Sequence, residues 1–159
     1  MRLALFQIDV VHGDPEANLA AVLAHREAIE ADLVVFCPVP REYWDRIDPL
    51  LLDVARDAVA RGAWVLTICS ASFILGAAGV LDGRRATTHW MYSEIMASMY
   101  PEVEIDPDVL FVQDGRIITS AGTAAGIDAC LHLLRQELGA ELTNRIARRM
   151  VVPPQRDGG

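Results

Sequence analysis

Between Ala63 and Leu81 the chain carries no charged residue, and this stretch constrains the fold more than any other feature. It is long enough to test as a membrane span. Thr67, Ser70, Ser72, Gly76 and Gly79 interrupt it, however, and its first half is rich in β-branched residues while its second half is rich in Ala. That change of composition reads as a buried strand, Ala63 to Cys69, followed by a buried helix, Ser70 to Ala78, stopped at Gly79.

The rest of the chain repeats the alternation. Leu3 to Ile8 and Leu33 to Phe36 read as buried strands, and Asp14-Pro15-Glu16 opens a helix with a cap, a proline and an acid in its first turn. Asp48-Pro49 opens another, with Leu51, Val54 and Ala58 inward and Gly62 as its close. Arg85 to Thr88 is a further strand, and Met91, Ile95 and Met99 are expected to face inward on a helix ended by Pro101. Asp114-Gly115 between Leu110–Val112 and Ile117–Thr119 signals a hairpin. Helices from Ala124 to Leu138 and Ala140 to Met150 meet at Gly139. Wholly apolar strands joined by helices indicate a largely parallel sheet covered on both faces, in one domain over 1–151 with a tail at 152–159. Such sheets bind ligands beyond the carboxyl ends of their strands, which directs attention to Asp9, Cys37, Cys69 and His89.

Composition narrows the chemistry. With 22 acidic and 14 basic residues the net charge is −8, a poor match for a phosphate backbone, so no nucleic acid is expected to bind this domain alone. Every basic residue is Arg. Without Lys there is no Walker A loop, Schiff-base lysine or pyridoxal-phosphate site. Cys37, Cys69 and Cys130 form no C-x-x-C pair, which argues against zinc and a disulfide framework and for a reducing, cytoplasmic setting. No metal, cofactor or membrane partner is expected.

Cys69 falls where a strand gives way to a helix. Free N–H groups there favour a thiolate and offer donors to a developing oxyanion, with the Ser70 N–H among them. A small apolar residue closing a buried strand would look the same. His89, in Thr87-Thr88-His89-Trp90, lies beside Cys69 if their strands are neighbours, and a histidine within reach can move the thiol's proton. His12, His25 and His132 have no better claim. Asp9, ending the first strand, is the candidate acid, while Asp14 is better explained as a helix cap.

From about Arg61 onward the sequence resembles the ThiJ/PfpI superfamily, the class I glutamine-amidotransferase-like fold, and most closely the branch at the N-terminus of AraC-type transcriptional regulators. The resemblance lies in Thr67–Leu75, in Ala77–Trp90 with its Thr87-Thr88-His89-Trp90, and in Thr119–Asp128; Val151–Gly159 is similar to the tail leading into such regulators' DNA-binding helices. It implies a flavodoxin-like α/β/α sandwich, an elbow cysteine at Cys69 and a histidine near it at His89. It also implies a homodimer, for which Trp44, Trp64, Trp90 and Tyr92 offer more aromatic surface than the core needs. The opening resembles a nitrilase in Phe6-Gln7, Gly13-Asp14, Asn18 and Ala31–Phe36. Nitrilase chemistry is excluded, because Cys37-Pro38 stands where its catalytic Glu belongs and no lysine exists. The ThiJ/PfpI resemblance also implies a glycine-rich loop opposite the elbow, and Cys37-Pro38-Val39 stands where that loop would be.

Two functions follow as expectations. The first is small-molecule sensing by the ThiJ/PfpI-like domain of an AraC-type regulator, here without the DNA-binding helices. The second is a cysteine-dependent hydrolase or hydratase of small molecules, isonitrile hydratase-like. It would use Cys69 as nucleophile, Asp9 as acid, His89 as proton donor or orienter, and Ser70 in the oxyanion hole.

Overall fold

The computed structural model describes residues 31–156. The strand expected at Leu3–Ile8 and the helix opened by Asp14 lie outside the described residues, as do Asp9, His12 and His25. Strands β1 (Leu33–Phe36), β2 (Trp64–Ile68), β3 (Arg85–Ala86) and β4 (Glu104–Ile105) alternate with helices, and β5 (Phe111–Asp114) and β6 (Ile117–Ser120) follow β4 before the last two helices. The helices are α1 (Pro49–Ala60), α2 (Ser72–Ala77), α3 (Ser93–Met99), α4 (Thr123–Leu138) and α5 (Ala140–Met150). The main sheet has the order β1-β2-β6-β5. Its first three strands are parallel and β5 is antiparallel to β6. The expected hairpin turns at Gly115, whose φ of 61° a side chain would strain.

Alternate residues of each strand go to opposite faces. Val34, Val65 and Ile117, in lateral register, pack with Ala55, Ala58, Phe73, Ile74 and Met96 of α1, α2 and α3. Leu33, Leu66 and Ile118 pack with Ala129 and Leu133 of α4 on the other face. The result is the three-layer α/β/α arrangement of a flavodoxin-like fold, with a mostly parallel sheet. Each fully buried Leu, Ile, Val or Phe contributes about 1.5–3 kcal/mol of transfer free energy. No helix among the described residues is long and apolar enough to cross a membrane.

Two glycines admit close approaches. A Cβ on Gly76 would lie 2.6 Å from the Tyr100 ring, and one on Gly126 would lie 3.2 Å from Ile68, so α4 sits tightly over the end of β2.

Several local expectations need correction. The helix expected at Ser70–Ala78 is a 3-10 turn, Cys69–Ala71, followed by the short α2. The strand expected at Arg85–Thr88 ends at Ala86, because the Thr87 N–H turns to donate to the Thr119 hydroxyl at 2.8 Å. Met91 and Met99 do not face inward; they are 57% and 39% exposed. A 3-10 turn over Trp90–Tyr92 resets the phase, so Ser93 and Met96 point to the core instead. The aromatic residues are mostly consumed within the fold. Trp44 stacks on Phe73 at 3.8 Å and meets Tyr92 edge-on, and buried Trp64 donates to Glu137 at 3.1 Å. Trp90 alone of the four is open to solvent, at 69%.

Candidate functional site

Because β1, β2 and β6 are parallel, their carboxyl ends share one edge of the sheet, and β2 is the middle strand of the three. Cys69 leaves β2 at the centre of that edge. Ile68 is still extended, whereas Cys69 has φ 56°, a left-handed value that costs a non-glycine residue about 1–3 kcal/mol. The chain reverses there into the 3-10 turn, and Cys69 is half-buried and not in a disulfide. Strain of this kind persists only where neighbours over-determine it.

The neighbours are hydroxyls. Ser72 and Thr88 each donate to the Cys69 carbonyl at 3.3 Å, and Ser120 donates to the Thr67 carbonyl at 2.9 Å. Ser70 is buried and its hydroxyl donates to the Val39 carbonyl at 3.0 Å. The Trp44 indole N–H donates to that same carbonyl at 2.9 Å. The loop after β1, which stands where a glycine loop was expected, therefore meets the elbow with an acceptor. It clamps Ser70 through Val39.

His89 reaches the same edge by a route other than the one expected. β3 pairs with β4 in a separate two-stranded sheet and β6, not β3, neighbours β2. The connection from β3 crosses the end of β6 through Thr87 and Thr119, and Thr88 then touches Cys69. The His89 Nδ1 accepts from the Met91 N–H at 3.3 Å. With Nδ1 an acceptor, the neutral ring carries its proton on Nε2 and is arranged as a donor. Its Cδ2 side lies over Gly122 at the start of α4, where a Cβ would stand 3.9 Å away. The Trp90 ring stacks on it at 5.8 Å.

Cys69, Ser70 and the Thr88-His89 pair thus converge on one sheet edge, while Asp9 lies outside the described residues. Cys37, also after a strand, is exposed, and Cys130 sits on α4 with its thiol pushed up by burial. Sequence reasoning missed Thr88 and Ser72. The signal available was a cluster of Ser and Thr flanking the elbow, and it gave no indication of which would be buried.

Known proteins bear on this arrangement. The chain is 34% identical over 107 residues to an isonitrile hydratase of Pseudomonas putida, covering 67% of this chain and 46% of that protein. It is 36% identical over 106 residues to the helix-turn-helix transcriptional regulator CdhR of Pseudomonas aeruginosa, covering 67% of this chain and 31% of that one. It therefore spans less than half the length of either relative. The crystal structure of an AraC family transcriptional regulator from Pseudomonas putida superposes with a TM-score of 0.64 at 24% identity, over 76% of this chain and 64% of that one, a likeness of fold. The DJ-1/PfpI family model matches residues 42–136, a segment that runs from the start of the Trp44 clamp through the elbow and most of α4, and the chain belongs to that family.

Proposed function

We infer that this chain is a small-molecule sensing domain of an AraC-type transcriptional regulator, with its ligand pocket at the carboxyl edge around Cys69 and His89. The observation that carries this reading is the similarity to CdhR, in which a segment as long as two thirds of this chain forms less than a third of a larger regulator. The net charge of −8 fits a domain that leaves DNA contact to another part of such a protein. A thermal-shift screen of small polar metabolites against the purified domain tests the reading. A ligand that raises Tm in the wild type and loses its effect when His89 is replaced by Ala is the expected result. Ligands whose effect is indifferent to every residue of this edge would contradict it.

A second reading, a cysteine-dependent hydratase, is favoured by the left-handed Cys69 and by the similarity to an isonitrile hydratase. In that chemistry the Cys69 sulfur adds to the isonitrile carbon, and that carbon takes a proton from His89 or from Asp9, giving the thioformimidate R–N=CH–S. Water then adds to the same carbon and the thiol leaves, so that R–N≡C and H2O give R–NH–CHO. Turnover of an aliphatic isonitrile that is abolished by Cys69→Ser would establish it, and no turnover at any pH near neutrality would remove it.

A further inference from the structure

The left-handed Cys69 has an unusual hold on it. Its carbonyl receives two hydroxyl donors, Ser72 and Thr88, each at 3.3 Å and each fully shielded from solvent. The two donors differ in origin. Ser72 is three residues on in the same turn and moves with the elbow. Thr88 belongs to the connection after β3, which is fastened independently to β6 where the Thr87 N–H meets the Thr119 hydroxyl at 2.8 Å. Thr88 therefore ties the elbow to a segment distant in sequence, the connection that leaves β3 and is anchored on β6. Its next residue is His89, so the same hydroxyl fixes the spacing between the histidine's loop and the cysteine's residue.

We propose that Thr88 is a positioning residue of this site, whose hydroxyl holds the Cys69 backbone in its left-handed conformation and keeps His89 in register with it. The proposal rests on reading Cys69 as the reactive group of the pocket. When the Thr88 hydroxyl is lost, the Cys69 carbonyl still has Ser72 as a partner, so no buried acceptor is orphaned and the fold is retained. The elbow is then free to relax toward an ordinary negative φ, which swings the sulfur out of its place at the sheet edge.

The test is the rate of iodoacetamide alkylation at each cysteine, resolved by mass spectrometry, in the wild type, Thr88→Val, Thr88→Ser and Ser72→Ala. Thr88→Val should slow Cys69 by about three- to tenfold, the loss expected for one buried hydrogen bond to the reacting residue, and leave Cys130 unchanged. Thr88→Ser, which restores the hydroxyl, should recover most of the rate. An unchanged Cys69 rate in folded Thr88→Val overturns the proposal while leaving the reactive-cysteine reading intact. A wild-type Cys69 no faster than Cys37 and Cys130 overturns both. Should Thr88→Val fail to fold, Ser72→Ala decides: a Cys69 rate kept near the wild-type value supports Thr88 as the sufficient tie, and its collapse overturns that role.

Discussion

Gly76 shows how one missing methyl group sets a contact. The Tyr100 ring lies where a Cβ would be, at 2.6 Å, and its hydroxyl reaches the Phe73 carbonyl at 3.4 Å. Gly76→Ala should therefore destabilise the fold by roughly 1–3 kcal/mol through overpacking, read from urea unfolding. Thiol chemistry is also decided residue by residue. Burial raises the Cys130 thiol and so lowers its thiolate fraction, and Cys37 is exposed at a strand end without an elbow. A brief iodoacetamide pulse should label Cys69 first, and equal labelling of the three would contradict its assignment. His132 supplies a pH dependence. Burial, and secondarily Arg135, lowers its pKa from the ordinary 6.5, so the unfolded chain takes up the proton at a higher pH than the fold does. Its contribution to stability is present above that ordinary value and is lost as pH falls through the lowered one. Tm should fall on acidification through this window, and His132→Asn should flatten that part of the curve.

At the scale of elements, α1 begins where Asp48 accepts from the Leu50 N–H at 2.8 Å, with Pro49 at the first helical position. Asp48→Ala should cost about 1 kcal/mol of stability, measurable by denaturant unfolding, since it removes a cap and touches little else. The other end of the chain is fastened as well. Arg156 forks onto the Asp128 carboxylate of α4, which is buried, and Arg135 donates to the Pro154 carbonyl at 2.9 Å. The segment after α5 is thus strapped back along α4, the helix whose Gly126 abuts Ile68 beside the elbow. Asp128→Asn should release the strap, and trypsin should then cut after Arg156 faster than in the wild type, as followed by mass spectrometry. Equal cleavage rates would mean the fork adds nothing in solution.

For the whole molecule, the balance of 22 acids against 14 arginines sets how it meets charged partners. The domain should give no fluorescence-anisotropy change with labelled duplex DNA at moderate salt, and saturable, sequence-selective binding would contradict this. A homodimer remains the expected assembly of this domain, by analogy with its family. Trp44, Trp64 and Tyr92 no longer support it, since they pack within the fold; Trp90 and Met91 are the apolar side chains left open beside the candidate pocket. Light scattering at tens of micromolar should return twice the chain mass, and a monomer mass would refute the dimer.

The sequence by itself determined the elements whose signals are local. β1 at Leu33–Phe36, the hairpin at Asp114-Gly115, the cap at Asp48 and the break between α4 and α5 at Gly139 each follow from apolar runs and turn chemistry within a few residues. The parallel sheet was legible too, because strands buried on both faces need apolar side chains at every position. Tertiary structure alone decided the rest. Nothing local told that β6 would lie between β2 and β5, or that Thr87 would leave its strand to bond Thr119. The inward phase of α3 likewise depended on a 3-10 turn set by packing around Trp90–Tyr92. The candidate site divides along the same line. A cysteine at a strand end could be read from its neighbours, but its left-handed backbone and the two hydroxyls on its carbonyl could not. One of those donors arrives from nineteen residues away, and hydrogen bonds between distant segments exist only once the layers have packed.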